Sequence, residues 1–218
     1  TELTSDEAQA GALNHELDIV DIYTNSWGPE DTGILLGEIG PFALQALVDG
    51  TSNGREGLGS IYVWSAGNGH QNGDNSNKDA YANSRYTIAV GATNWRGELT
   101  GYSEFGSNVM VVAPSSPLLL DSNCTGTEPA DCTGTEPAIF STDVSGGAGR
   151  NNTDYLNDLG GTSASNPMVA GVIALMLEAN PDLTWRDVQH ILVRTSLKID
   201  HSNEGWFTTY IGRDYNHA

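Results

Sequence analysis

The sequence predicts an α/β fold in which a parallel sheet carries helices on both faces. Short apolar runs rich in Val, Ile and Tyr alternate with segments of helical periodicity, which is the pattern of parallel strands joined by crossover helices. The chain has 218 residues, of which 38% are hydrophobic, enough for the core of a domain of ordinary size. We therefore expect a globular protein rather than a disordered one.

Four runs are predicted to be mostly buried strands. They are short, apolar and rich in Val, Ile and Tyr, as is typical of the strands of parallel sheets. The runs are Asp18–Gly28, Gly59–Gly69, Tyr86–Thr93 and Asn108–Pro114.

Four further segments are predicted to form helices. The first opens on a capping serine, Ser5, and the last has a capping-box-like start in which Asp187 follows Thr184 by three residues. The third helix is apolar nearly all round, so we expect it at the centre of the protein. The segments are Ser5–Asn14, Gly40–Gly50, Ser165–Asn180 and Thr184–Ser196.

A long surface insertion is predicted at about residues 113–159, where Gly, Ser, Thr, Asn and Asp dominate. It contains a tandem repeat, Asn123–Ala130 followed by Asp131–Ala138, with one cysteine in each copy. A turn can close the gap between Cys124 and Cys132 into a disulfide, which would indicate an oxidising compartment. The repeat is either a duplication in a tolerant loop or a disulfide-tied flap near the active site.

The charge balance excludes some classes of partner. Nine basic residues against 28 acidic ones give a net charge of −19, which repels nucleic acid and anionic membranes and attracts cationic partners. The alternative is that the acidic surface only keeps an extracellular protein soluble. No apolar run is long enough for a membrane span, and the first residues show no signal-peptide pattern, so the chain is expected to be mature or cut from a longer one.

Ser163 is the candidate nucleophile. It stands in "GGTSASNP", just before the apolar helix, so backbone N–H groups and the positive end of the helix dipole would face a group bound at its hydroxyl. Those are the donors that an oxyanion requires. The alternative is a plain helix cap, formed by Thr162, Ser163 or Ser165.

Three motifs together resemble the catalytic domain of the subtilases, and most closely its kexin and furin branch, the proprotein convertases. They are "GGTSASNPMVAGVIALMLEANPDLTWRD", "DIYTNSWGPED" and "VWSAGNG". The likeness runs from about Thr4 to the C-terminus, interrupted at the insertion. It implies a subtilisin-like sheet from which the N-terminal part is absent, so that residues 1–218 form a partial catalytic domain. Cysteines of the animal enzymes are replaced near Ser76, Lys78 and Gly106, which favours a bacterial kexin-like member.

The resemblance implies a role for each residue of the site. Ser163 would be the acylating nucleophile and Asn68 the side-chain donor to the oxyanion. Asp31 and Asp79 would meet a basic P1 side chain, while Tyr81 would border the S4 subsite. The segment that pairs with the extended substrate backbone would consist of Ser26, Trp27, Gly28 and Pro29.

The resemblance also implies a calcium ion behind the S1 pocket, held by Asp31, Asp74 and Glu104. Carboxylate oxygens are the ligands that Ca²⁺ prefers, and the ion would reduce the repulsion between acids crowded around one pocket. Outside the family context, scattered acids in so acidic a chain would be solvated surface groups.

The triad's Asp and His are not found in this chain. Subtilases order the triad as Asp, His and Ser, and the five histidines lie in no His motif of the family. We therefore expect the isolated chain to be nearly inactive.

The expected function of the parent protein is that of a secreted, calcium-assisted serine endopeptidase. It would cleave peptide or protein substrates after Arg or Lys, often at dibasic sites. A propeptide or a chaperone is the further partner that we consider. Two alternatives stay open, a non-catalytic subtilase-like binding module and a broad-specificity subtilisin.

Overall fold

The computed structural model describes residues 5–117, 137–150, 153–210, 212 and 214–216. Its main sheet has four parallel strands whose spatial order is their order along the chain. The predicted parallel sheet is thus confirmed, and each strand is shorter than the apolar run from which it was predicted. The strands are β1 (Ile22–Asn25), β2 (Ile61–Ser65), β3 (Thr87–Thr93) and β4 (Val109–Pro114).

Helices cover both faces of this sheet, as predicted. Successive residues of a strand point to opposite faces, and β2 shows the consequence clearly. Ile61 and Val63 belong to the core cluster formed with the third and fourth helices, whereas Tyr62 and Trp64 belong to the cluster formed with the first two. The helices are α1 (Asp6–Leu13), α2 (Pro41–Asn53), α3 (Thr162–Ala179) and α4 (Trp185–Thr195).

Helix α3 differs from its prediction in two ways. It begins at Thr162 rather than Ser165, so Ser163 lies within its first turn and not before it. It is also not buried all round, because only the face that bears Val169, Ile173 and Leu177 packs on the sheet. Val172 and Leu175 are 50% and 65% exposed.

Part of the predicted insertion has its own secondary structure. Strand β5 (Ile139–Thr142) pairs with β6 (Tyr155–Leu159) in an antiparallel arrangement. A second antiparallel pair, outside the insertion, consists of β7 (Trp206–Thr208) and β8 (Asp214–Asn216). Most of the tandem repeat, including Cys124 and Cys132, lies outside the described residues.

Among the residues that the structure describes, no helix combines the length and the apolarity that crossing a bilayer would require.

The packing of α2 on β2 depends on Gly50. The Tyr62 hydroxyl reaches over this helix to donate a 2.8 Å hydrogen bond to the Leu13 carbonyl oxygen. A β-carbon built on Gly50 would stand 1.8 Å from the Tyr62 Oη atom. Only glycine leaves room for the phenol at this point of the helix.

Substitution Gly50→Ala should therefore lower the free energy of unfolding, by about 1–3 kcal/mol as for other overpacked cores. The tyrosine must move and lose its hydrogen bond to Leu13. Chemical denaturation would measure the change, and Gly50→Ala combined with Tyr62→Phe should recover part of the loss.

Gly11→Ala in α1 is the matched control, since nothing lies within 4 Å of the added methyl group. Alanine is the better helix former, so this variant should gain up to about 1 kcal/mol. Equal effects of the two Gly→Ala substitutions would contradict the steric explanation.

Candidate active site

Ser163 is the accessible residue in an otherwise buried turn. Gly161 precedes the helix with a φ of 77°, a left-handed conformation that favours glycine. Thr162, Ala164, Ser165 and Asn166 are all buried, whereas Ser163 is half-buried. As the second residue of α3, Ser163 also carries a backbone N–H that the helix itself leaves without a partner.

Three serine hydroxyls hold the start of α3 against the carboxyl ends of the strands. Ser115, just after β4, donates to the Gly161 carbonyl oxygen at 2.8 Å, and Ser65, at the end of β2, donates to that of Thr162 at 3.1 Å. Ser26, just after β1, donates to the carbonyl oxygen of Ser163 at 3.2 Å. Three consecutive carbonyls are thus bound by residues from three strands.

Asn68 lies directly beside the candidate nucleophile. Its Oδ1 atom accepts hydrogen bonds from the backbone N–H of Thr162 at 2.8 Å and from the Thr162 hydroxyl at 3.0 Å. Because Oδ1 faces Thr162, the Nδ2 donor lies on the other side of the amide, away from that residue. The role of Asn68 as the donor to the oxyanion stays a prediction.

The predicted cleft segment is rigidly supported. The Trp27 indole N–H donates to Asn25 Oδ1 at 3.2 Å, and the Trp64 indole N–H donates to the Trp27 carbonyl oxygen at 2.7 Å. The ring of Tyr81 stacks on Trp64 with centroids 4.5 Å apart and meets Trp27 edge-on at 4.9 Å. The Tyr81 hydroxyl donates to Gln9 Oε1. Tyr81 therefore lies against this segment, and its place beside the S4 subsite stays a prediction.

Asp79 lies against the same segment. It is 7% exposed, and its Oδ2 atom would be 2.9 Å from a β-carbon built on Gly28. Glycine at position 28 therefore leaves room for the Asp79 carboxylate against this segment. Burial raises the pKa of Asp79 to about 6, with smaller contributions from the charges of Asp31 and Asp74.

The three predicted calcium ligands lie against the two glycines that flank Asn68. A β-carbon on Gly69 would lie 2.8 Å from Asp74 Cβ and 2.9 Å from Asp31 Cβ, and one on Gly67 would lie 2.3 Å from Glu104 Oε1. The Gly69 N–H donates to Glu104 at 3.0 Å. The three side chains thus lie close to residues 67–69, and their role as calcium ligands stays a prediction.

The donor set fits a hard cation in its chemistry, but the carboxylates do not meet at one point. In the described part of the chain, no three His, Cys, Asp or Glu side chains gather as metal ligands. Asp74 accepts from the Gly33 N–H at 2.9 Å, and the Lys78 ammonium lies 3.8 Å from it. Glu104 is 4% exposed, and burial, followed by the charges of its acidic neighbours, raises its pKa to about 8.

Hydrogen bonds tie these acidic segments together near Ser76. The side-chain amide of Asn108 donates to Ser76 Oγ at 2.9 Å, and the Ser76 N–H donates to the Phe105 carbonyl oxygen at 2.9 Å. Gly106 lies at the same point, since a β-carbon there would be 3.1 Å from Ser76 Cβ. A polar connection therefore links the segment of Asp74 and Asp79 to that of Glu104.

None of the described histidines is hydrogen-bonded to Ser163. His70 stacks on the ring of Phe105 with centroids 3.9 Å apart, and the others are His15, His190 and His201. His217 lies outside the described residues.

Sequence reasoning missed two anchoring residues of the site, Thr162 and Asn166, both fully buried and both bound to its elements. One signal for such anchoring was available in the sequence. Pro167 lacks an N–H, so the carbonyl four residues earlier, that of Ser163, has no helical hydrogen-bond donor.

Comparison with known proteins agrees with this geometry. A sequence profile described as the subtilase family matches residues 2–210. The chain is 38% identical over 213 residues to the dibasic-processing endoprotease of Yarrowia lipolytica, covering 98% of this chain and 20% of that protein. It is 38% identical over 213 residues to human proprotein convertase subtilisin/kexin type 4, covering 98% and 25%.

A solved structure supports the fold. The serine protease of Aeromonas sobria, in complex with its chaperone, superposes with a TM-score of 0.73 at 21% identity, over 97% of this chain and 40% of that one. The chain spans about a fifth to a quarter of the length of the two relatives above. Since the profile covers nearly all of it, the chain belongs to the subtilase family and is similar to its kexin-type proteases.

Proposed function

We propose that the protein containing this chain is a serine endopeptidase that cleaves peptide bonds after Arg or Lys, often at dibasic sites. One observation carries the proposal: a half-buried serine in the first turn of α3 follows the threonine that Asn68 binds, and the buried carboxylate of Asp79 lies against the neighbouring cleft segment. The similarity to the dibasic-processing endoprotease supports the same substrate class.

The reaction would proceed through an acyl-enzyme on Ser163. Its Oγ atom would attack the scissile carbonyl carbon, pass its proton to a general base, and form a tetrahedral intermediate that expels the amine leaving group. The Asn68 Nδ2 and Ser163 N–H groups would stabilise the oxyanion. In a subtilisin, one such side-chain donor contributes about 3 to 4 kcal/mol to transition-state stabilisation. Water would then hydrolyse the acyl-enzyme.

The general base and its aspartate would come from a part of the protein outside the described residues. Without them the residual rate enhancement over water would be about 10³- to 10⁴-fold, so the chain by itself would be nearly inactive.

Specificity for a basic P1 side chain would come from Asp79, with Asp31 close by. A buried carboxylate forms a stronger, charge-assisted hydrogen bond with a guanidinium than with a neutral group. A calcium ion held by Asp31, Asp74 and Glu104 would neutralise the surrounding charge and support the pocket, and the ion supplies no step of the reaction.

The proposed enzyme would be secreted and would have a protein partner. Similarity to kexin-type proteases and to a protease solved with a chaperone supports an extracellular or secretory-pathway enzyme that a propeptide or a chaperone assists. Its acidic surface, with a net charge of −19, would attract basic peptides at long range.

Ser163 should be covalently labelled by a fluorophosphonate in the full-length protein, and Ser163→Ala should abolish the labelling. Mass spectrometry of the labelled peptide would locate the adduct. Ser165→Ala is the matched control, because Ser165 is fully buried and its hydroxyl donates to the Ala113 carbonyl oxygen. An active enzyme that is not labelled at Ser163 would contradict the proposal and indicate another nucleophile. Absence of all hydrolysis would favour a binding module.

Asp79→Asn should reduce the preference for Arg over its neutral isostere citrulline at P1. Loss of a charged hydrogen bond costs about 1.5–3 kcal/mol, equivalent to roughly a tenfold to 150-fold change in the ratio of kcat/KM values. Asp182→Asn makes the same charge change on an exposed loop between α3 and α4 and should leave the ratio unchanged. An unaltered ratio in Asp79→Asn would favour a broad-specificity subtilisin.

Calcium should raise the melting temperature, and more at pH 8 than at pH 5. Because the folded-state pKa of Glu104 is raised from 4.5 to about 8, the metal-free protein loses stability as the pH rises through this interval. A bound cation would offset that loss.

Thermal melts in EDTA, calcium and magnesium would measure the calcium effect. Glu104→Gln removes the ionisable group and should abolish both the calcium-induced shift and its dependence on pH. A calcium shift of equal size in Glu104→Gln would show that the ion binds elsewhere.

A further inference from the structure

A second connection joins α3 to the cleft segment, through the side chain of Asn166. This residue is fully buried, three positions after Ser163. Its Nδ2 atom donates to the Asn25 carbonyl oxygen at 2.6 Å and approaches Ser26 Oγ at 3.3 Å, while its Oδ1 atom accepts from the Thr24 hydroxyl at 3.2 Å. One amide therefore binds three consecutive residues at the end of β1.

The hydroxyl of Ser26 links this amide to the backbone of Ser163. It accepts from Asn166 and donates to the Ser163 carbonyl oxygen. Pro167 has no N–H to offer that carbonyl, so in this first turn the cleft segment takes the place of the missing helical donor.

Asn25 extends the connection into the sheet and toward the substrate. Its Nδ2 atom donates to the Val63 carbonyl oxygen of β2 at 3.4 Å, and its Oδ1 atom accepts from the Trp27 indole. The chain of contacts thus runs from Ser163 through Ser26, Asn166 and Asn25 to Trp27; Asn25 and Asn166 are buried, whereas Ser26 is exposed.

We propose that Asn166 is a positioning residue that fixes the spacing between the Ser163 nucleophile and the substrate-binding segment Ser26–Pro29. This rests on the proposed function. A peptide bound along the segment presents its scissile carbonyl to Ser163 only if the two elements keep their spacing, and a misplacement of about 1 Å can cost 100-fold in rate. A small reagent that does not bind the segment is insensitive to the spacing.

Two reactions of the same serine therefore test the proposal in the full-length protein. One is acylation by an extended peptide substrate with Arg at P1, and the other is labelling by diisopropyl fluorophosphate, which has no peptide arm. Asn166→Ala should lower kcat/KM for the peptide at least tenfold, mainly through kcat, and should lower the labelling rate no more than twofold to threefold.

Two further variants separate the halves of the amide. Thr24→Val removes the bond to Asn166 Oδ1 and keeps the side chain's shape, so a smaller fall in the peptide-to-label ratio is expected. Asn166→Asp keeps the acceptor for Thr24 and replaces the donor to Asn25 with a carboxylate oxygen, so its fall should approach that of Asn166→Ala. Ser165→Ala, which disturbs only the contact with β4, should leave the ratio unchanged.

Equal losses of peptide hydrolysis and labelling in Asn166→Ala and Asn166→Asp would overturn the proposal, since they would indicate a general loss of folded protein. If Asn166→Ala does not fold, an unchanged ratio in both Thr24→Val and Asn166→Asp overturns it equally. Failure of the proposed function is a different result, because then the unsubstituted protein itself would not be labelled at Ser163.

Discussion

The whole site depends on the hydrogen bonds between the first turn of α3 and the carboxyl ends of the sheet strands. A parallel sheet gathers those ends at one edge, and the helix start is fixed there by hydroxyls from three strand ends, those of Ser115, Ser65 and Ser26. These donors bind carbonyl oxygens and not N–H groups. The N–H of Thr162 donates to Asn68, while that of Ser163, next to the candidate nucleophilic hydroxyl, has no partner within the helix.

The acidic pocket is the second consequence of that edge. Asn68 follows β2 and stands between two glycines whose missing side chains make room for carboxylates behind it, those of Glu104, Asp31 and Asp74. Burial, and to a smaller extent the charges of the nearby acids, raises the pKa of Glu104. A buried acid without a counter-ion is costly, and this cost is a physical argument for the proposed basic substrate side chain and the proposed divalent cation in this region.

Much of this architecture could be predicted from the sequence, because apolar runs and caps are local signals. The four strands and the capping box at Thr184 both follow from short-range patterns. The start of α3 could not be placed, since Thr162 and Ser163 have modest helix propensity and are held helical by contacts with residues distant in the chain. The exposure of Val172 and Leu175 was also missed, because an apolar side chain does not reveal what covers it.

The role of Asn166 shows a different limit of sequence reasoning. An asparagine before a proline is usually read as a turn residue, yet here it is buried within a helix and satisfied by β1. Its partners are about 140 positions away, so only the fold brings them together. Pro167 and Asn166 act as a pair in this respect: the proline frees the Ser163 carbonyl, and the asparagine holds in place the serine that binds it. A proline ordinarily weakens a helix interior. Here these contacts join the helix to the end of β1 at the same point.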